Sequence, residues 1–444
     1  MSLGGAHPLV QALPWRDPCL LVEGLAERLG RQGLVWLDGD GTALGRWGSL
    51  GLAPLELRVC HGLPGEAGST DPFAVLEGMR RDGGSWAGWL AYGAGAWVEP
   101  GSHWRSSSMP TLWAARHDPV LRFDYQNRHV WLEGSDQARL SGMAAVIEAL
   151  PPQAPPLPVS AVFDGLPIPI ASWHWHTTAE AFAAQVEQLL ERIAAGDLFQ
   201  ANLTACCEVL LPERPDPLAL YQRLRQHCPA PFGGLVVAAD AAVLSASPER
   251  FLRVSASGHV QTRPIKGTRP RHTDAAADAA AAAELITSPK DRAENVMIVD
   301  LLRNDLGRVC VPGSIQVPQL VGLESYRQVH HLTSVVEGQL REDRTVVDLL
   351  RACWPGGSIS GAPKIRACHR LGELEPLARG PYCGSLFRLG ADGSFDSNIL
   401  IRSVMQQGRR LRAHAGCGIV ADSDPAGEAE ELGWKLRPLL EALA

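Results

Sequence analysis

Residues 247–269 read SPERFLRVSASGHVQTRPIKGTR. Within them, Phe251 to Val254 and His259 to Thr262 are short strand-like runs separated by the turn signal Ser-Ala-Ser-Gly, so they read as a pair of adjacent strands. Working outward, Ala201 to Leu211 and Gly234 to Ser245 are strand-like upstream, and Tyr382 to Leu389, Ile399 to Val404 and Leu411 to Ala415 downstream. Helical readings fall on 275–283, Asp291 to Leu302, Val346 to Cys353, Pro363 to Leu371 and Glu428 to Leu443. Another helix opens on Thr177 with Glu180, a capping-box spacing. It continues through Phe182, Val186, Leu189, Leu190 and Ile193, and ends at Gly196. Several strands follow one another directly and βαβ alternation is absent. The expected class is therefore α+β, an α/β sandwich with antiparallel sheets rather than a doubly wound parallel fold.

The chain has 444 residues, enough for about two to three domain-sized units. A proline-rich stretch at 151–170 reads as a linker, because proline removes backbone donors and breaks periodic structure. It divides an N-terminal region, 1–150, from a larger unit, 171–444. The N-terminal region is rich in Gly and Trp, with strand-like runs at Gly33 to Leu37 and Trp86 to Tyr92. Hydrophobic content of 45% and charged content of 20% are those of a globular protein. A net charge of −7 and the lack of a Lys/Arg-rich run argue against nucleic-acid binding. A local pocket can still oppose that sign, so an anionic substrate remains open. No apolar run approaches the roughly 20 residues of a membrane span, and the N-terminus lacks the pattern of a signal peptide. The ten cysteines form no CxxC pair, which points to reduced thiols and a cytoplasmic setting.

Six stretches could carry chemistry. Lys266 lies between a strand-like run and a Gly-Thr turn; a partly desolvated lysine there can act as a nucleophile, and the alternative is a surface lysine. Glu249 follows Pro248 and could serve as a general acid if its pKa were raised, or could pair with Arg250. Glu294 sits near a helix start in KDRAENVMIVDLLRNDLGR, where Met297 and Leu301, with Val296 beside them, give an apolar stripe. It is either functional or a compensating acid for the helix dipole. Glu428 and Glu431 share a helix face, which suits a hard cation or a solvated acidic surface. WPGGSISGAPKIR leads into a helix starting near Ala362 or Pro363, whose N–H groups could receive an anion or simply be capped. Arg402, read on a strand beside the Gly416 to Gly418 turn, matches a carboxylate geometrically but could be structural.

Together and in this order, SPERF, PIKGT, KDRAENxMIVDLLRNDLGR, PGGSxSGAPK, YCGS and AGxGIVADSDP resemble the chorismate-utilising enzymes. That family comprises anthranilate synthase component I, aminodeoxychorismate synthase component I, isochorismate synthase and salicylate synthase. The resemblance covers about residues 175–440 and is much weaker over the first 150. It implies two large antiparallel sheets packed together with flanking helices. It implies Mg2+ held by Glu294 and Glu431, with Glu428 close by through water, and chorismate as substrate. Tyr382, Arg402 and the Gly416, Cys417, Gly418 segment would take the enolpyruvyl carboxylate. His331, Ser358 and Thr268 would lie near the ring, Lys435 near the metal-bound carboxylate, and Glu249 would protonate the departing 4-hydroxyl.

Two positions separate members of the family. Isochorismate and salicylate synthases carry a water-activating lysine where this chain has Gln200, and an amide is no base at neutral pH. Anthranilate synthases read PIAGT where this chain reads PIKGT, as aminodeoxychorismate synthases do. The resemblance therefore implies a Lys266 adduct at ring carbon 2 and amination at carbon 4, on the route to 4-aminobenzoate and folate. Ammonia would come from a separate glutamine amidotransferase subunit (component II). The alternatives are an anthranilate synthase component I, disfavoured by Lys266, and a non-catalytic subunit that kept the fold, disfavoured by the presence of Glu249, Lys266, Glu294 and Glu431. Cys417, at a position usually Gly or Ala, offers a small and reactive thiol, and Gly433 is expected to interrupt the last helix.

Overall fold

The computed structural model describes residues 8–151, 167–326 and 329–444. Most of the proline-rich stretch at 151–170, namely 152–166, lies outside the described residues. Among the described residues the strands form one sheet of 12 and one of 10, and every pairing is antiparallel. Both sheets draw on the chain before and after that stretch. Val35–Asp38 pairs with Phe232–Val237 in the larger sheet, and Ser85–Leu90 with Ser385–Leu389 in the smaller.

Side-chain alternation along a strand explains the layering. Leu235 and Val237 join a core shared with helices such as Ala179–Ala194 and Pro425–Leu443, whereas Val236 between them joins the core shared with the second sheet. Strands buried on both faces read as continuous apolar runs. For that reason Gly234 to Ser245 reads in sequence as one strand, but it is a hairpin of Phe232–Val237 and Ala241–Ser247. The pair at the centre of the opening stretch is found as Arg250–Val254 with His259–Thr262, Arg253 opposite Gln261.

Three other boundaries differ from expectation. The cap of Ala179–Ala194 is Thr178, not Thr177: the Thr178 hydroxyl accepts from Ala181 N at 3.2 Å, and Thr177 is buried instead. The helix Pro289–Gly307 buries Asn295, Ile298, Val299, Leu302 and Leu306, while Val296 is exposed and Met297 and Leu301 only half-buried. The neighbouring strand Val329–Gln339 offers polar partners, so the polar Asn295 joins the packed face: its amide donates to Leu332 O at 3.2 Å. Finally, Pro425–Leu443 runs unbroken through Gly433. A helical glycine costs about 1 kcal/mol, and burial of Leu432, Leu436, Leu439 and Leu440, at about 1.5–3 kcal/mol each, outweighs it. No helix of the described residues is long and apolar enough to cross a membrane.

Candidate active site

The chain passes from the larger to the smaller sheet through two residues, Pro248 and Glu249, between Ala241–Ser247 and Arg250–Val254. It returns through Ile399 to Arg402, between Phe395–Asn398 and Ser403–Gln407. This corrects the strand expected at Ile399 to Val404. Arg402 is not on a strand: it has φ +50° and stands in the crossing. The two crossings are joined by Ile399 N donating to Glu249 O at 3.0 Å, Ser247 Oγ to Ile399 O at 2.6 Å and Ala246 N to Arg402 O at 3.0 Å. A sheet-to-sheet crossing thus fixes both Glu249 and Arg402 on backbone held at several points.

Arg250 forms a two-pronged ion pair with Asp396, at 2.9 and 3.1 Å, and so is not the partner of Glu249. Glu249 instead accepts from Ser358 Oγ at 2.8 Å and is buried. Burial pushes its carboxyl up to about 7, against the opposing influence of Ser358 and Lys266. A carboxyl at that value holds a proton near neutrality and can give it up.

Lys266 lies on Ile265–Pro270, opposite Leu332 of Val329–Gln339. A register shift follows at Gly267, whose φ is +81° and where an added Cβ would lie 2.9 Å from Asp291 and Leu285 side chains. Glycine there lets the helix Pro289–Gly307 approach closely. That helix begins on Ser288, which caps Asp291 N, with Pro289 in its first turn. It sets Glu294 Oε2 3.8 Å from Lys266 Nζ, with both side chains nearly buried. Lys266 Nζ also donates to Ser358 O at 3.3 Å. Burial raises the Glu294 carboxyl, opposed by Lys266 and Lys290.

The segment 416–418 is not a turn. It belongs to the strand Arg410–Ile419, with Thr204 opposite Gly416 and Asn202 opposite Gly418. Pairing with Gln200–Leu210 carries the ladder through the glycines. Gly416 and Gly418 share one face, and an added Cβ at Gly418 would lie 3.3 Å from Glu294 Oε2 and 3.5 Å from Lys266 Nζ. Cys417 points the other way into the core, fully buried, and burial pushes its thiol up to about 12. The expected reactive thiol is therefore corrected to an inert one.

Close to Cys417 lies an acidic cluster. Ligand atoms of Cys417, Glu428 and Glu431 all lie within 4.8 Å of one another. Two carboxylates, with Glu294 electrostatically coupled to Glu428, suit a hard dication, whereas a protonated thiol does not. Lys435 Nζ bridges Glu431 at 2.7 Å and Gly416 O at 2.9 Å.

His331 is buried, 2.8 Å from Thr268 Oγ1 through Nδ1. Burial, and next the Arg402 charge, push it down to about 3, so the ring is neutral. The Arg402 guanidinium has no hydrogen bond or ion pair among the described residues, and burial lowers its pKa. A cation in that state awaits an anion. Tyr382 is the predicted residue set apart: its ring is buried and stacked on His414 at 4.9 Å, and it is the following residues Cys383 and Gly384 that bond to the Arg402 crossing, Cys383 N to Leu400 O and Leu400 N to Gly384 O, each at 2.8 Å. Two polar side chains of the site escaped the sequence reading. Gln200, which the sequence offers only as a lysine replacement, donates to Glu294 at 3.4 Å while its buried Oε1 has no partner among the described residues. Lys290 reaches Glu428 at 3.1 Å; its position four residues before Glu294, on one helix face, was the available signal.

Residues 66–441 match the family model described as chorismate binding enzyme. An anthranilate synthase component I-like protein of Synechocystis sp. is 34% identical over 99% of this chain and 94% of its own length. Aminodeoxychorismate synthase component 1 of Klebsiella aerogenes is 40% identical over 76% of this chain and 71% of its own. The crystal structure of anthranilate synthase component I from Streptococcus pneumoniae TIGR4 superposes with a TM-score of 0.76 at 29% identity, covering 89% of this chain and 92% of that one. With the paired sheets and the residues gathered at their crossings, this match makes the chain a member of the chorismate-binding enzyme family.

Proposed function

We propose that the chain is an aminodeoxychorismate synthase component I, replacing the 4-hydroxyl of chorismate by an amino group. The observation that carries this reading is the convergence of Lys266 and Glu249 on one residue: Ser358 O takes Lys266 Nζ at 3.3 Å and Ser358 Oγ gives to Glu249 at 2.8 Å. A nucleophile and a protonated acid then flank the same space. The Lys266 amine nitrogen bonds to ring carbon 2, both ring double bonds shift by one position, and the carbon–oxygen bond at carbon 4 breaks. Glu249 supplies the proton with which that hydroxyl leaves as water. Ammonia then bonds to carbon 4, both double bonds return to their first positions, and the lysine amine leaves carbon 2. The proton lost by the adding ammonia returns to Glu249. The sum is chorismate plus ammonia to aminodeoxychorismate plus water.

Arg402 would hold the enolpyruvyl carboxylate, and the bare face at Gly416 and Gly418 leaves room for it. Tyr382 would join them only through a movement of its ring from His414. Neutral His331, with Thr268, would bound the ring, and Gln200 in place of a base gives water no activation. Glu294 and Glu431, with Glu428, would hold Mg2+, whose charge would neutralise the ring carboxylate, with Lys435 alongside. The partner proposed is a glutamine amidotransferase subunit, as the component 1 name of the Klebsiella relative suggests, and the product would serve 4-aminobenzoate and folate synthesis in the cytoplasm.

The test is product identification by mass and absorbance after incubation with chorismate, MgCl2 and ammonium salt, for the native chain and Lys266→Ala. Aminodeoxychorismate from the native chain, lost or diverted to anthranilate in the variant, supports the reading. Anthranilate from the native chain would move the assignment to tryptophan synthesis. No product even with an added amidotransferase would favour a binding subunit.

A further inference from the structure

We infer that Lys290 is the internal counter-cation of the acidic cluster, a latch that a divalent cation must displace in order to bind. This rests on the reading of Glu294, Glu428 and Glu431 as a cation site, and adds a residue that opposes the cation. Lys290 stands in the first turn of Pro289–Gly307, and its Nζ lies 3.1 Å from Oε1 of Glu428 in the first turn of Pro425–Leu443. The ion pair therefore bridges the two helices that carry the three carboxylates. Glu428 is 4% exposed and its Oε1 also accepts from Ser423 Oγ at 2.6 Å, whereas the Lys290 side chain is 41% exposed. The carboxylate is fixed in the protein; the ammonium reaches it from solvent on a flexible stem and can return there without losing hydration.

Two other lysines serve the cluster, but each is anchored elsewhere as well. Lys266 is held by Ser358 O and Lys435 by Gly416 O. The Lys290 side chain has no hydrogen bond other than that to Glu428 among the described residues, so it is the least anchored of the three. Without metal its charge offsets repulsion among carboxylates drawn from two helices. A dication held among these carboxylates would repel it, and its departure would cost part of the binding free energy.

The full chain would be titrated with MnCl2, free Mn2+ being counted by electron paramagnetic resonance, and its melting temperature recorded in EDTA and in MgCl2. Lys290→Met is expected to bind Mn2+ at least about fivefold more tightly, since a nearby positive charge is gone. It should also melt lower in EDTA and gain more from MgCl2 than the native chain. Lys290→Arg, which keeps the charge, should bind no more tightly than native. Arg303→Met, which removes a charge paired with Asp300 on the same helix, should match native affinity. A Lys290→Met protein with native circular dichroism and native or weaker Mn2+ affinity overturns the inference; should that variant not fold, Lys290→Gln is read in the same way. If neither the native chain nor any variant binds Mn2+, the cation-site reading itself fails. Native binding that Glu431→Gln abolishes, with no gain in Lys290→Met, overturns the latch alone.

Discussion

Ser358 donates from its hydroxyl to Glu249 Oε1 at 2.8 Å while its carbonyl accepts from Lys266 Nζ at 3.3 Å. One residue of the glycine-rich PGGSISGAPK segment thus fixes the spacing of the proposed acid and nucleophile. It also holds the Glu249 carboxyl below the value that burial alone would impose.

A pH dependence follows. The acid must be protonated, so kcat for amination should fall as pH rises through about 7, the value of buried Glu249. Ser358→Ala removes a donor that favours the carboxylate, so the descending limb should move to higher pH. Glu249→Gln should lower kcat by about 10²–10⁴-fold and abolish that limb. A limb unmoved in Ser358→Ala would mean that another group governs it.

Gly418→Ala probes the bare face. Its Cβ would lie 2.5 Å from Gln200 Nε2 and 3.3 Å from Glu294 Oε2. The side chains at the site would have to shift while the strand pairing persists, so turnover should drop by about tenfold or more, since small displacements of reacting groups are costly. Urea denaturation should show a much smaller effect than the kinetics.

Cys417 is fully buried with its thiol pushed up to about 12. In the folded chain it should resist a thiol reagent such as dithionitrobenzoate, and react only on denaturation; mass mapping of the labelled peptide reads this directly. Cys417→Ala should keep native Mn2+ affinity, because a protonated thiol contributes no ligand.

Arg379 and Glu375 form a buried pair, at 2.6 and 2.9 Å, and Arg379 also donates to Ile359 O at 2.8 Å and Asn202 O at 2.7 Å. Their side chains are 1% and 8% exposed. Arg379→Met leaves Glu375 charged and unpaired, and should cost about 3–5 kcal/mol in urea unfolding. Adding Glu375→Leu should recover part of that loss.

The sequence by itself carried the antiparallel α+β class, the pairing within residues 251–262 and most helices, because strand and helix periodicities and turn residues act over a few neighbours. It also carried the motif order that marks the family. It misjudged Gly234 to Ser245, where burial on both faces erases alternation, and Gly433, where packing of four leucines overrides propensity. Only the tertiary structure decided that Glu249 and Arg402 occupy two adjoining crossings between sheets, that Arg250 belongs to Asp396, that Tyr382 stacks on His414 and that Lys290 reaches Glu428. Those relationships join residues far apart in the chain; Ser247 and Ile399 are separated by 152 positions. Local propensity cannot encode them; sheet closure and burial can, because a polar group removed from water must find whichever partner the packed chain brings to it.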